Sequence, residues 1–135
     1  MDIKLLSIYT GGILSLLMVI FHVQFPKLFK WKIDFRHTSA ANKKILYTIH
    51  AALFLLFSGY AFISLVYARE LADSTGLALG INLSYALFWL WRTIWQITYF
   101  KPDKKGRFRT IHLVLIAIFF ILFISYSLPI FFRFL

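Results

Sequence analysis

Five side chains stand out in an otherwise apolar chain because each can bind or move charge: His22, His50, Arg92, Gln96 and His112. Imidazole ligates haem iron and transition metals, and it exchanges a proton near neutral pH. Guanidinium is a permanent cation whose planar fork of donors suits carboxylate or phosphate. Arg92 sits within ALFWLWRTIWQITYF, residues 86–100, with Gln96 one helical turn on. A lone charge inside a membrane costs at least about 2.5–3.5 kcal/mol. None of the five Asp and Glu residues falls within an apolar run to offset it. The counter-charge must come from Asp34 or Asp103 in the connecting segments, from a helix C-terminus, or from a bound anionic group.

Four kinds of chemistry fit this set. The first is b-type haem, with His22, His50, His112, Arg92 and Gln96 as the cofactor-binding residues. His50 and His22 are the pair best matched in depth, His112 is the alternative partner, and Arg92 faces the propionates. The second is a transition metal held by His22, His50 and His112, with a fourth position open for catalysis. The absence of a carboxylate in the spans argues against di-iron chemistry, and Arg92 would repel a metal ion. The third is an anionic lipid or isoprenoid headgroup, bound, transported or modified. The fourth is an accessory subunit whose polar stripes pack against other membrane proteins.

The elements that position these residues follow from composition. The chain is 135 residues long, 61% hydrophobic and only 15% charged, against about 25% charged in soluble proteins. Lipid must cover much of its surface, so the expectation is an integral membrane protein. With no cysteine, disulfides, iron–sulfur clusters and thiol nucleophiles are excluded. No phosphate-binding loop, Ser-His-Asp arrangement or HExxH pattern is present.

Four apolar runs, residues 5–25, 45–68, 77–100 and 110–132, each suffice to cross ~30 Å of hydrocarbon as a helix. The first is too long for a signal h-region and lacks a small-residue cleavage site, so it reads as retained. The expected fold is all-α: a single-domain, antiparallel bundle of four transmembrane helices in the lipid bilayer. The net charge of +10 does not indicate a nucleic-acid partner, because most of it lies in two short loops. Residues 26–44 carry Lys27, Lys30, Lys32, Arg36, Lys43 and Lys44; residues 101–109 carry Lys101, Lys104, Lys105, Arg107 and Arg109. By the positive-inside rule both loops are cytoplasmic and both termini outside, in a membrane expected to be the bacterial inner membrane.

Helical spacing then gives each span an inward stripe. These are Ser7, Gly11, Ser15, Met18 and His22; Tyr47, His50, Phe54, Ser58 and Ala61; Asn82, Tyr85, Trp89, Arg92, Gln96 and Tyr99; and His112, Ile116, Phe119, Phe123 and Tyr126. At 1.5 Å per residue, His22, His50, His112 and Gln96 lie ~4–9 Å from the basic boundary and Arg92 ~13 Å from Lys101. Because neighbouring helices are antiparallel, all five converge in one layer, with His37 placed to close it from the loop. A short interfacial helix through Leu28, Trp31 and Phe35 is expected below. Ser39 is the expected N-cap of the second span, and Ser74 or Thr75 of the third.

Overall fold

The computed structural model describes residues 1–100 and 106–135. The expectations for Lys101, Pro102 and Asp103 lie outside the described residues. The chain is all-helical, 88% helix, with no strand among the described residues. In lipid a helix satisfies its backbone groups internally, which is why these apolar runs coil rather than extend. In chain order the elements are α1 (Ile3–Val23), α2 (Phe25–Leu28), α3 (Trp31–Asp34), a 3-10 turn (Phe35–His37), α4 (Ala40–Val66), α5 (Ala68–Asp73), α6 (Leu77–Thr98) and α7 (Arg107–Phe134).

Three helices are long and apolar enough to cross a membrane: Ile3–Val23, Ala40–Val66 and Phe108–Phe134, consistent with an integral membrane protein. α6 has 22 residues, but Asn82, Arg92, Gln96 and the tryptophans at 89, 91 and 95 dilute its hydropathy.

Local chemistry sets the helix ends. Asp2 caps α1 by accepting from the Lys4 N–H at 3.2 Å. Ser39 caps α4 as expected, accepting from the Asn42 N–H at 3.2 Å. Neither Ser74 nor Thr75 caps α6, whose N-cap is Gly76 at φ 52. The segment ARELAD forms its own short helix, and Ser74, left-handed at φ 51, ends it. The expected interfacial helix is also broken. Lys30 adopts a left-handed conformation at φ 52, so residues 25–34 form two four-residue helices that meet at an angle break.

Small residues decide which helices approach closely. α1 packs against both α4 and α7, and α6 packs along α7. The α1 stripe Ser7, Gly11, Ser15, Met18 and His22 is buried throughout, together with Ile8 and Gly12. A Cβ on Gly11 would sit 2.9 Å from the Tyr126 ring of α7, and one on Gly12 would sit 2.8 Å from Leu65 of α4. Tyr126, fully buried, places its hydroxyl 2.6 Å from Ser64 Oγ and 3.4 Å from Ser15 Oγ, joining three helices at one point.

α4 and α6 stand further apart, and large rings fill the space between them. Tyr60 meets Tyr85 at 3.7 Å between centroids, and Phe57 stacks on Trp89 at 5.3 Å. The buried face of α4 is therefore Phe57, Tyr60, Ala61 and Ser64; of the expected stripe Ala61 lies on it, His50, Phe54 and Ser58 are half-buried, and Tyr47 is outside it. Ser58 donates to the Phe54 carbonyl of its own helix, and Tyr47 is exposed. On α6 the inward stripe runs from Asn82 to Gln96 and stops there, because the helix ends at Thr98 and Tyr99 is exposed. Asn82 ties α6 to α5, donating from Nδ2 to the Leu71 carbonyl at 2.7 Å and to Ser74 Oγ at 3.2 Å.

Candidate functional site

Two polar groupings lie at the end of the helices next to residues 25–39. The first is built on α6. Arg92 and Gln96, four residues apart, share a face, and Arg92 Nη2 donates to Gln96 Oε1 at 3.3 Å. Close packing of α6 on α7 brings the buried Gln96 Nε2 to 2.9 Å from His112 Nδ1. The guanidinium carbon of Arg92 also lies 4.8 Å over the ring of Phe119, 5.7 Å from that of Trp91 and 5.8 Å from that of Phe100.

The second grouping is the histidine pair. His22 is buried and its Nδ1 lies 3.0 Å from the Met18 carbonyl. A carbonyl only accepts, so Nδ1 carries the proton and Nε2 keeps its lone pair. The His22 and His50 rings are 5.7 Å apart and near parallel. Phe25 stacks on His22 at 4.4 Å, and Trp31 meets His50 edge-on at 5.0 Å. The break at Lys30 lets Trp31 lie against α4 in this way. His37 is exposed and does not close the layer; the aromatic side chains of residues 25–31 do.

An aromatic series connects the two groupings. His22 meets Phe57 at 4.7 Å, Phe57 stacks on Trp89, Trp89 stacks on Phe119 at 5.4 Å, and Phe119 underlies Arg92. The indole N–H of Trp89 is buried with no partner among the described residues.

A cavity of about 360 Å³ opens beside the Arg92 grouping. Arg92, Gln96 and His112 supply its polar wall, and Phe25, Phe29 and Trp31 its aromatic cover. Phe29 stacks on Phe108 at 5.8 Å, closing the cover onto the start of α7. Ile111 and Leu115 are shared with a second, apolar cavity of about 240 Å³ between α1 and α7. Neither His22 nor His50 lines the first cavity.

Among the described residues the only ion pair is Lys4–Asp2 at 3.6 Å, so Arg92 has no carboxylate partner there. Aromatic faces offset part of its desolvation, at about 0.5–1 kcal/mol per contact or somewhat more when dry. Summed over three rings this approaches the insertion cost of about 2.5–3.5 kcal/mol or above but brings no negative charge, so among the described residues the cation has no counter-ion.

The three-histidine metal centre expected from sequence is not assembled. Among the described residues no group of three or more His, Asp or Glu side chains is placed to hold a metal ion. The reason is visible in the partners: His112 Nδ1 is taken by Gln96 and its ring belongs to the cavity, while His22 and His50 pair elsewhere. Helical spacing put Phe119 on the inward stripe of the fourth run and gave it no part in the site. Its place one turn from Ile116 on α7 carries no signal that Arg92 would lie over it.

Comparison of the chain with protein-family models, curated proteins and solved structures gives no match in any of the three.

Proposed function

We propose that the chain is a small polytopic membrane protein that binds an amphiphile with an anionic head in the Arg92 cavity. In this reading α1, α4, α6 and α7 form an antiparallel four-helix transmembrane bundle with both termini outside and the cavity on the cytoplasmic side. α6, at 22 residues, measures ~33 Å, enough for ~30 Å of hydrocarbon. The positive-inside rule favours this orientation and the bacterial inner membrane.

The observation that carries the reading is Arg92: a desolvated cation on a cavity wall, backed by Gln96 and His112, with no carboxylate partner among the described residues. An anionic head supplies the missing charge, and the adjoining α1–α7 cavity is apolar enough for a tail. The test is lipid retained through purification in mild detergent, identified by mass spectrometry. Wild type should keep a stoichiometric anionic lipid, and Arg92→Gln should lose it by about tenfold or more, the worth of one charge-assisted contact. Equal retention by both proteins, or retention of zwitterionic lipid only, refutes the proposal.

One observation favours a second reading. His22 donates Nδ1–H to a carbonyl and keeps Nε2 free, the state an axial haem ligand requires. A Soret band in protein from haem-replete cells, abolished by His50→Ala, would establish b-type haem; a colourless protein removes it.

A further inference from the structure

Hydrogen-bond polarity along Arg92, Gln96 and His112 runs in one direction only. Guanidinium has donors and no acceptor, so the 3.3 Å contact from Arg92 Nη2 turns the oxygen of the Gln96 amide toward Arg92. The amide nitrogen is then the atom 2.9 Å from His112 Nδ1. That nitrogen only donates, so Nδ1 must accept. A neutral imidazole that accepts at Nδ1 carries its proton on Nε2. The opposite amide orientation would set the Gln96 N–H groups against the guanidinium, donor against donor.

We infer that Arg92, acting through Gln96, holds His112 as the Nε2–H tautomer, so that the cavity meets its ligand with donors from both Arg92 and His112 and selects an oxyanion: carboxylate or phosphate. Nε2 of His112 has no protein partner among the described residues, and His112 lines the cavity. Gln96 is a positioning residue: it lines the cavity, but its amide oxygen faces Arg92 and its nitrogen His112, and it acts by setting the polarity of His112. His22 shows the reverse arrangement. Its Nδ1 faces a carbonyl at 3.0 Å and so carries the proton. One protein thus holds two imidazoles fixed in opposite tautomers by their partners. The oxyanion selectivity rests on the reading of the cavity as a ligand site; the tautomer does not.

The experiment is nitrogen NMR of the detergent-solubilised protein labelled with ¹⁵N-histidine, with ring signals assigned by His112→Ala and His22→Ala. In wild type at neutral pH, His112 should show a protonated Nε2 and bare Nδ1, and His22 the reverse. Gln96→Glu places an acceptor between Arg92 and His112, so Nδ1 of His112 should gain a proton. Arg92→Leu frees the amide to rotate and should leave His112 a mixture of tautomers. Phosphatidic acid in mixed micelles and inorganic phosphate are then titrated as ligands. Gln96→Glu should weaken phosphatidic acid binding by about tenfold or more, because a carboxylate now neutralises Arg92.

A wild-type His112 protonated on Nδ1 overturns the inference without any variant. A His112 signal unmoved by Gln96→Glu does the same. The expected tautomer with neither probe bound overturns the oxyanion site and the amphiphile reading while the hydrogen-bond polarity stands. Inorganic phosphate binding as tightly as phosphatidic acid supports the oxyanion site and assigns it to a soluble anion.

Discussion

Gly11→Ala should destabilise the protein, although alanine is the better helix former by about 1 kcal/mol. The added Cβ would lie 2.9 Å from the Tyr126 Cζ and 3.1 Å from its hydroxyl, against an ordinary contact of 3.4–4 Å. The ring must retreat by about half an ångström or α1 must lift from α7, and overpacking of this kind costs about 1–3 kcal/mol. Retreat is obstructed because Tyr126 is fully buried and its hydroxyl is held by Ser64 at 2.6 Å. Losing that bond adds roughly 0.5–1.5 kcal/mol. After the helix-propensity gain, the net loss is about 0.5–3.5 kcal/mol. Between helices in lipid there is no hydrophobic drive to restore the contact, so packing alone sets the outcome.

The assay is reversible unfolding in bicelles, with Gly59→Ala and Gly80→Ala as controls. A Cβ at either control position meets nothing within 4 Å, so both variants should be neutral or slightly stabilised by the propensity term. Tyr126→Phe removes the hydroxyl contact at 3.1 Å, so the cost of Gly11→Ala should shrink in that background. A double-mutant cycle should report coupling of about 0.5 kcal/mol or more, as touching residues do. A stable Gly11→Ala, or a Gly59→Ala that loses as much, would refute the claim that close approach at Gly11 holds α1 to α7.

Asn82→Leu removes both bonds from α6 to α5, and α5 should loosen at a cost of about 0.5–2 kcal/mol. Hydrogen exchange should quicken across residues 68–73 and leave α1 protected; unchanged exchange there counts against the tether. Orientation is directly measurable because the chain has no cysteine. Asp73→Cys should react with a membrane-impermeant maleimide on intact cells and Lys32→Cys only after permeabilisation, while the reverse pattern would invert the proposed topology.

What the sequence disclosed depended on contrast around each helix. On α1 the serines, glycines and His22 recur every three or four residues among Leu and Ile, and all five expected residues are buried. On α6 the polar residues from Asn82 to Gln96 mark one face just as clearly. α4 is apolar on every side, so its polar residues select no face. Ser58 satisfies its hydroxyl on its own backbone, and the buried face is chosen by large rings that fill the gap to α6. The break at Lys30 was equally hidden, since a left-handed lysine carries no sequence signal of the kind glycine gives.

The site divides along the same line. Arg92 and Gln96 meet within one helix, so four-residue spacing sufficed to pair them. Gln96 and His112 are separated by a connection and meet only because α6 and α7 lie close and in register, which depth estimates approximate but do not determine. Depth placed His112 with His22 and His50 because it measures position along the helix and says nothing about the direction around it. Direction is what separates the imidazole that completes the Arg92 wall from the pair that stacks under Phe25 and Trp31. An arginine without a carboxylate in a helix of this kind is tolerable when its neighbours spend their acceptors and aromatic faces on it. Gln96 Oε1 and Phe119 do so, and they leave a cation with no counter-ion among the described residues, which is the charge that the proposed ligand would meet.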